Sequence, residues 1–467
     1  MGSASVRNIT FALGILSLAL GMLAIVISKG NVFFLEACIL LALGFVLPFL
    51  SFMENSKDGQ GKEVTIKLPI KTYLVIAFLT QMFLAPFFYD TFNFQHWLYA
   101  ADLFAQGINP YRFCYESGIF DIFPYPSMFL YLMLIGREVL QAFGQRLFLV
   151  FFKSLLTISN VLAGYFIYKM IVALKGDLNL AKKATCLFIF NPLLVFVTSV
   201  QGEFDPLVIL FTVLATYFFV VKKERVLSAL CLGVGFSLKL YPLLLLPFFL
   251  VYVENLKKRV MFTLLVGVPM LLASMPFLIL DCPAYINVAF NTGGGPGPFS
   301  PWQSMLIKFL AIPLFRLSFT LSLFGAILVT LLLLRDRKLI TNIFLCFVGI
   351  YLALPFIHEN HTAWILPFVA LGTKKGRLVY MASLFPFLHL LLFTGAFDMA
   401  GLPYWLSSWV GPEKTTLYSI YKVIGVEVSL ILPALFVIPF LGVYTYILAK
   451  RIYAMANIDG VFLKSSR

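Results

Sequence analysis

The chain has 467 residues, 61% of them hydrophobic and only 12% charged, with a mean hydropathy of +0.95. That composition leaves too little polar surface for a water-soluble fold and describes a polytopic helical membrane protein whose first partner is the lipid bilayer. The net charge of +14 does not imply a nucleic-acid partner, because the basic residues sit in short clusters at the ends of apolar runs.

Apolar runs able to cross a hydrocarbon core of about 30 Å recur from end to end. The first, "FALGILSLALGMLAIVI", is too long for a signal-peptide core and lacks an A-x-A site, so it is expected to be a retained helix. Lys57, Lys62, Lys67 and Lys71 then form a cytoplasmic loop. The third crossing ends at Asp90, where an outer segment, 89–145, begins. Within it, residues 124–143 ("PYPSMFLYLMLIGREVLQAF") cannot cross without placing Lys175, Lys182 and Lys183 outside. They are expected to form an interfacial or re-entrant outer helix with Arg137 and Arg146 at its rim.

Further along, the turn "QGEFDP" (201–206) is outer, and Lys222, Lys223 and Arg225 are cytoplasmic. Residues 226–252 have cytoplasmic signals at both ends and "SLKLYP" between them, which fits two half-helices meeting at Lys239–Pro242 better than one crossing. Lys257, Lys258 and Arg259 are cytoplasmic, and 281–313 is outer. The outer loop includes "NTGGGPGPFSPW" (291–302), which lacks the G-K-[ST] ending of a phosphate cradle and reads either as a cover over a site or as a plain linker. Arg335, Arg337 and Lys338, then Lys374, Lys375 and Arg377, and finally Lys450 and Arg451 are inside. "HENH" (358–361) and 397–420 are outside. The expectation is an all-α polytopic membrane protein, one domain over 1–467, with about twelve transmembrane helices, a re-entrant half-helix pair, outer-face juxtamembrane helices and both termini cytoplasmic.

Charged groups at or within the apolar zone cost on the order of 3 kcal/mol or more each, so function is the first suspicion for them. Asp90, Arg112, Gln201, Glu203, Asp205, Lys239, His358, Glu359 and His361 all fall on or near the outer side. Each has a plainer reading, and Lys239 is the hardest to explain away. Asp90 could mark the water interface, and Glu203 and Asp205 could cap the helix that starts at Pro206. His358 and His361 could bind zinc, although H-E-N-H is not H-E-x-x-H, and His389 reads as a hydrogen-bonded core histidine. A lysine beside a proline near mid-membrane needs an anion or a wet pocket.

No Ser-His-Asp order and no nucleotide fingerprint appear, and neither a cofactor nor a resident metal is expected. The six cysteines are scattered without C-x-x-C spacing and read as structural thiols; Cys114 and Cys282 fall on outer segments and could pair. One outer carboxylate facing cations suits a general base acting on a hydroxyl while a lipid phosphate leaves. The aromatic stretches "FNFQHWLY", "YRFCY" and "FPYP" suit sugar rings and prenyl chains, and equally an interfacial belt.

These motifs, in order, also carry a resemblance. "D…W…A…LFAQGINPY", "YPSMFLYLML", "FGQRLF", "NPLLVFVTSVQGEFDPLVIL", "GVGFSLKLYPLLLLP" and "HENH…LP" resemble the GT-C superfamily of membrane glycosyltransferases over roughly 85–370. The likeness is to the catalytic subunit of GPI mannosyltransferase I and its prokaryotic polyprenyl-phosphate-mannose-dependent relatives. It implies inverting transfer of mannose, or another hexose, from a polyprenyl-phosphate donor to a lipid-linked glycolipid acceptor on the non-cytoplasmic face. It favours a prokaryotic cell membrane over the endoplasmic reticulum.

The resemblance implies that Asp90 is the catalytic base and that Lys239, His358 and His361 lie near the donor phosphate; Arg112, a cation in the same outer segment, is expected as a further phosphate contact. Glu203, Asp205, Gln201, Tyr111 and Tyr125 are the expected acceptor or sugar contacts. The chain departs from the eukaryotic pattern in having Asp90-Thr91-Phe92-Asn93 where a D-x-D type pair stands, and Phe123–Pro124 before "YPS" where a basic residue stands. The rival readings are a transporter or lipid flippase, since broken helices serve that purpose too, and a non-catalytic scaffold subunit.

Overall fold

The structure is a computed structural model describing residues 9–17, 19–20, 34–53, 66, 68–119, 122–290, 325, 338–353, 357–372, 376–392, 436–451 and 453. The loop at 291–302, residues 397–420, and Lys57, Lys62, Lys67, Arg335, Arg337, Lys374 and Lys375 lie outside the described residues.

Among the described residues every regular element is helical. In chain order they are α1 (Phe34–Met53), α2 (Ile70–Leu84), α3 (Thr91–Ala105), α4 (Pro110–Ser117), α5 (Ser127–Phe143), α6 (Gln145–Lys175), α7 (Leu178–Ile189) and α8 (Pro192–Phe196). A π turn, Val197–Gln201, extends α8. Then come α9 (Asp205–Tyr217), α10 (Arg225–Leu238), α11 (Leu246–Val251), α12 (Leu256–Ala289), α13 (Leu339–Ala353), α14 (Leu366–Gly372), α15 (Gly376–Ala382) and α16 (Leu384–Leu392), with a further helix over 436–451.

Among the described residues three helices are long and apolar enough to cross a membrane: α6, α9 with its π extension to Lys222, and α12. A fourth crossing exists if α7 and the α8 segment, bent by 47°, act as one span. Shorter apolar segments of 10–17 residues, Leu43–Met53 of α1 among them, accompany these, so the described residues carry three or four full-length crossings, whereas the expectation of about twelve covers the whole chain. A 14-residue helix such as α10 reaches only about 21 Å, and crosses only with help from flanking residues.

Local sequence explains the breaks. At the α7–α8 bend, Asn191 accepts from the amides of Leu193 and Leu194, and Pro192, which needs no donor partner, occupies the first turn. α10 stops at Leu238, Lys239 is extended (φ −153, ψ 147), and a 3-10 turn, Tyr241–Leu245, leads into α11. The backbone therefore breaks at the junction expected from "SLKLYP". α12 kinks at Asp281 (φ −160, ψ 80), whose carboxylate accepts from the Ala284 amide 3.1 Å away and so caps the following helix.

Packing gathers these pieces around α6 and α9. α9 lies against α6 and α10, and α10 against α12. α5 bridges α3, α6, α10 and α12. Between α3, α5, α6 and the 201–206 turn sits an aromatic core of Phe94, Trp97, Phe129, Phe148, Phe152 and Phe204, all buried. The Phe129 and Phe204 rings stack 3.8 Å apart, and Trp97 meets Phe129 edge-on at 4.9 Å. This block fixes the floor on which the polar residues stand. Cys114 is buried, Cys282 is exposed, and both are free thiols.

Candidate active site

Asp90 closes the turn after α2 and is the N-cap of α3. One carboxylate oxygen accepts from the Asn93 amide at 3.1 Å and the other from Asn93 Nδ2 at 3.0 Å. Asn93 Nδ2 also donates to Glu203 Oε1 at 2.5 Å, so one side-chain amide bridges two carboxylates. The backbones are tied as well, since the Asp90 amide donates to the Gln201 carbonyl at 3.0 Å. Asp90 is buried, and burial pushes its carboxyl up to about 6 despite the two Asn93 hydrogen bonds. Glu203 is held above the ordinary carboxylate range, first by burial and then by the neighbouring Asp205 and Asp90, with Lys239 opposing.

The 201–206 turn owes its shape to the π turn before it and to Gly202, whose backbone is left-handed (φ +80). Glu203 and Asp205 do not cap α9, contrary to the plainer expectation: the N-cap is Phe204, with no side-chain cap bond. Asp205 is instead fully buried and holds three donors from distant parts of the chain. Lys239 Nζ lies 2.9 Å from Oδ1, Trp364 Nε1 donates to Oδ1 at 2.6 Å, and Asn360 Nδ2 donates to Oδ2 at 2.9 Å. A buried carboxylate survives in apolar surroundings only with such partners.

Lys239 is positioned by the end of α10 and lined by aromatic faces. Its ammonium sits 4.9 Å from the Phe204 ring centre, 5.6 Å from Trp364 and 5.9 Å from Tyr125. Trp364 stacks on Tyr241 at 4.0 Å, joining the 3-10 turn after Lys239 to the 358–364 segment. The Tyr125 phenol is pushed well above its ordinary range by burial and by Glu203, Asp205 and Asp90, so it faces all three acids. Tyr111, also buried, donates from its hydroxyl to the Tyr125 carbonyl at 2.9 Å.

The "HENH" turn comes to the same place through Asn360 and Trp364. His361 Nδ1 accepts from the His358 amide at 3.2 Å, which puts its proton on Nε2, and the two rings lie 5.5 Å apart, edge to face. Glu359 is buried and its Oε1 meets His389 Nδ1 at 2.6 Å, so His389 is the hydrogen-bonded core histidine the sequence suggests. Among the described residues no three His, Cys, Asp or Glu side chains gather closely enough to hold a metal ion.

The structure thus brings Asp90, Gln201, Glu203, Asp205, Lys239, Tyr125, Tyr111 and the 358–361 turn together. Arg112 takes no part in this network. Its guanidinium is exposed, 2.8 Å from Glu116 and 3.9 Å from Asp281. Gln201 contributes its backbone, and its buried side-chain Oε1 has no hydrogen-bond partner. Sequence reasoning misses Asn93, Asn360, Trp364 and Lys153. For Lys153, a lysine inside the apolar run "FLVFFKSLL" was the available signal.

Residues 123–357 match the family model described as Glycosyltransferase family 87. The matched stretch contains Tyr125, Gln201, Glu203, Asp205 and Lys239, with Asp90 and the 358–361 turn flanking it. No curated protein sequence matches the chain.

Proposed function

Because the chain belongs to glycosyltransferase family 87 and is an integral membrane glycosyltransferase of the GT-C type, we propose that it moves a hexose, mannose by resemblance, from a polyprenyl-phosphate donor to a lipid-linked acceptor on the non-cytoplasmic face. Asp90 is the general base. It takes the proton of the acceptor hydroxyl as that oxygen attacks the anomeric carbon from the face opposite the phosphate. The bond from that carbon to the phosphate oxygen breaks, the configuration inverts, and polyprenyl phosphate leaves as a monoester.

The observation that carries this reading is the pairing of Asp90 with a second buried carboxylate, Glu203, beside a lysine that gives one hydrogen bond to Asp205. Lys239 has three N–H groups, and its ion pair is with Asp205 at 2.9 Å. Its remaining donors, with those of His358 and His361, would hydrogen-bond the departing phosphate. Arg112, turned to Glu116 and Asp281, is left out of that set. Glu203, Tyr125 and Tyr111 would contact sugar or acceptor hydroxyls. α5 would lie at the outer interface as a juxtamembrane helix, and α10 with α11 would form the re-entrant pair.

The test is turnover by the purified protein in bilayer nanodiscs given radiolabelled polyprenyl-phosphate mannose and a lipid extract as acceptor. Expected is acceptor-dependent appearance of a labelled glycolipid with one free polyprenyl phosphate per transfer. Asp90→Asn should stay folded and lose a factor of about 100 to 10,000. Full activity in that variant removes Asp90 from its role. Uptake of substrate into vesicles, or release of sugar without acceptor, replaces the transferase reading with the transporter one.

A further inference from the structure

The helix α6 carries a cation that the proposed chemistry does not use. Lys153 is completely buried, two turns from the start of α6 and next to the aromatic core. All three of its N–H groups have partners, and every partner is a backbone carbonyl: Phe88, Ser199 at 2.7 Å and Val200 at 3.0 Å. These acceptors lie on two separate segments. Phe88 stands two residues before Asp90, and Ser199 and Val200 stand in the π turn that leads into Gly202–Glu203.

The geometry follows from how that turn ends. The last carbonyls of a helix have no partner within it. The amides of Gly202 and Glu203 both return to the Val197 carbonyl, so later carbonyls must look elsewhere. Ser199 and Val200 find Lys153, and Gln201 finds the Asp90 amide at 3.0 Å. A cation at a helix C-terminus is favoured electrostatically. An apolar residue at 153 would fill the space and take the donor away from the Ser199 and Val200 carbonyls.

We infer that Lys153 is a positioning residue for the transfer reaction: its ammonium clamps the Asp90 segment to the Glu203 turn and so sets the facing of the two carboxylates, without touching substrate. The inference rests on the reading of Asp90 as base. It deepens that reading, because the Asn93 bridge between Asp90 and Glu203 forms only while the two segments keep this register.

Lys153→Met tests the clamp from one side and Gly202→Ala from the other. A Cβ at Gly202 would come within 2.9 Å of Lys153 Cε and of the Phe94 ring, at a backbone angle that alanine rarely adopts. In the turnover assay, Lys153→Met is expected to lower kcat about 100-fold, the size of effect produced by a misplacement of about 1 Å. Lys153→Arg, which keeps a cationic donor, should recover part of that loss.

The charged and titratable groups within reach of Asp90 are His96 of α3, Lys153 of α6, Glu203 in the turn and Tyr125 before α5. Gly202→Ala retains all of them while opening the turn to water. The acidic limb of its kcat/KM profile is therefore expected about one pH unit below that of the wild type. A smaller folded fraction would not move that limb.

Wild-type kcat in Lys153→Met, or an unmoved limb in Gly202→Ala, overturns the inference. If Lys153→Met does not fold, the Arg and Gly202→Ala variants decide. Amide hydrogen exchange gives a readout independent of turnover. Segments 88–94 and 197–203 should exchange about tenfold faster in the variants while 207–215 keeps its protection. Wild-type protein that transfers nothing would sink the functional reading and with it the positioning role. In that event faster exchange in these segments upholds the clamp as a structural contact, and unchanged exchange overturns that too.

Discussion

Asp90 holds a proton more tightly than an exposed aspartate, at about 6, because burial outweighs its hydrogen bonds. A base is useless once protonated, so transfer should fade as pH falls through about 6, seen as an acidic limb in kcat/KM. The same shift has a stability sign. A carboxyl raised from 3.8 to about 6 binds a proton in the folded state that the unfolded chain has already released. Stability therefore declines as pH rises through that window, by on the order of 2–3 kcal/mol, and the cost persists at neutral pH. Asp90→Asn removes it. At pH 8 the inactive variant should melt no lower than wild type by scanning fluorimetry, and a drop of several degrees would contradict this.

Lys239 behaves oppositely, because removing it strands Asp205. Lys239→Ala should cost about 3–5 kcal/mol, whereas Lys239→Met combined with Asp205→Asn should recover most of that. A double variant that unfolds as readily as the single one would deny the pair its structural part. The charged members of the site are legible in sequence because such groups are rare in apolar runs. Asn93, Asn360 and Trp364 are not, since neutral polar and aromatic residues crowd every interface. Nor does sequence reveal whether Asp205 serves its own helix or Asn360, which lies 155 positions away.

Helix ends are where residue chemistry becomes architecture. Breaks that depend on a local backbone rule can be read ahead of time: Asn191–Pro192, Lys239–Pro242, and the left-handed Gly144 and Gly176 that bound α6. The π turn at Val197–Gln201 cannot, because its last carbonyls are held by Lys153 and the Asp90 amide, far away in the chain. Close approach of helices is another element-level property. At Gly233, in α10, a Cβ would lie 2.4 Å from the Val266 carbonyl oxygen and 2.9 Å from the Pro269 ring of α12. Gly233→Leu should force these helices apart and cost roughly 1–3 kcal/mol. Gly267→Leu, where nothing lies within 4 Å of the Cβ position, is the matched control in the same melting experiment.

For the molecule as a whole, α12 supplies a ruler. Arg259 lies near its start and Asp281 marks its kink, about 33 Å apart along the helix axis, close to the thickness of the apolar core. The proposed outer-face site needs the basic end in the cytoplasm, which would bring the exposed Cys282 out on the other side. A membrane-impermeant maleimide should label Cys282 in intact cells when the other five of the six cysteines are alanine. Lys258→Cys in a cysteine-free chain should react only after permeabilisation. The reverse pattern would invert the protein and move its site to the cytosol.

The Asp205 network also imposes a schedule on biosynthesis. Its donors lie 34, 155 and 159 residues further along the chain. A nascent chain emerging from the ribosome delivers Lys239 well before Asn360 and Trp364. Until synthesis has passed residue 364 the acid can be met by the lysine alone, so a half-made copy holds one of its three donors.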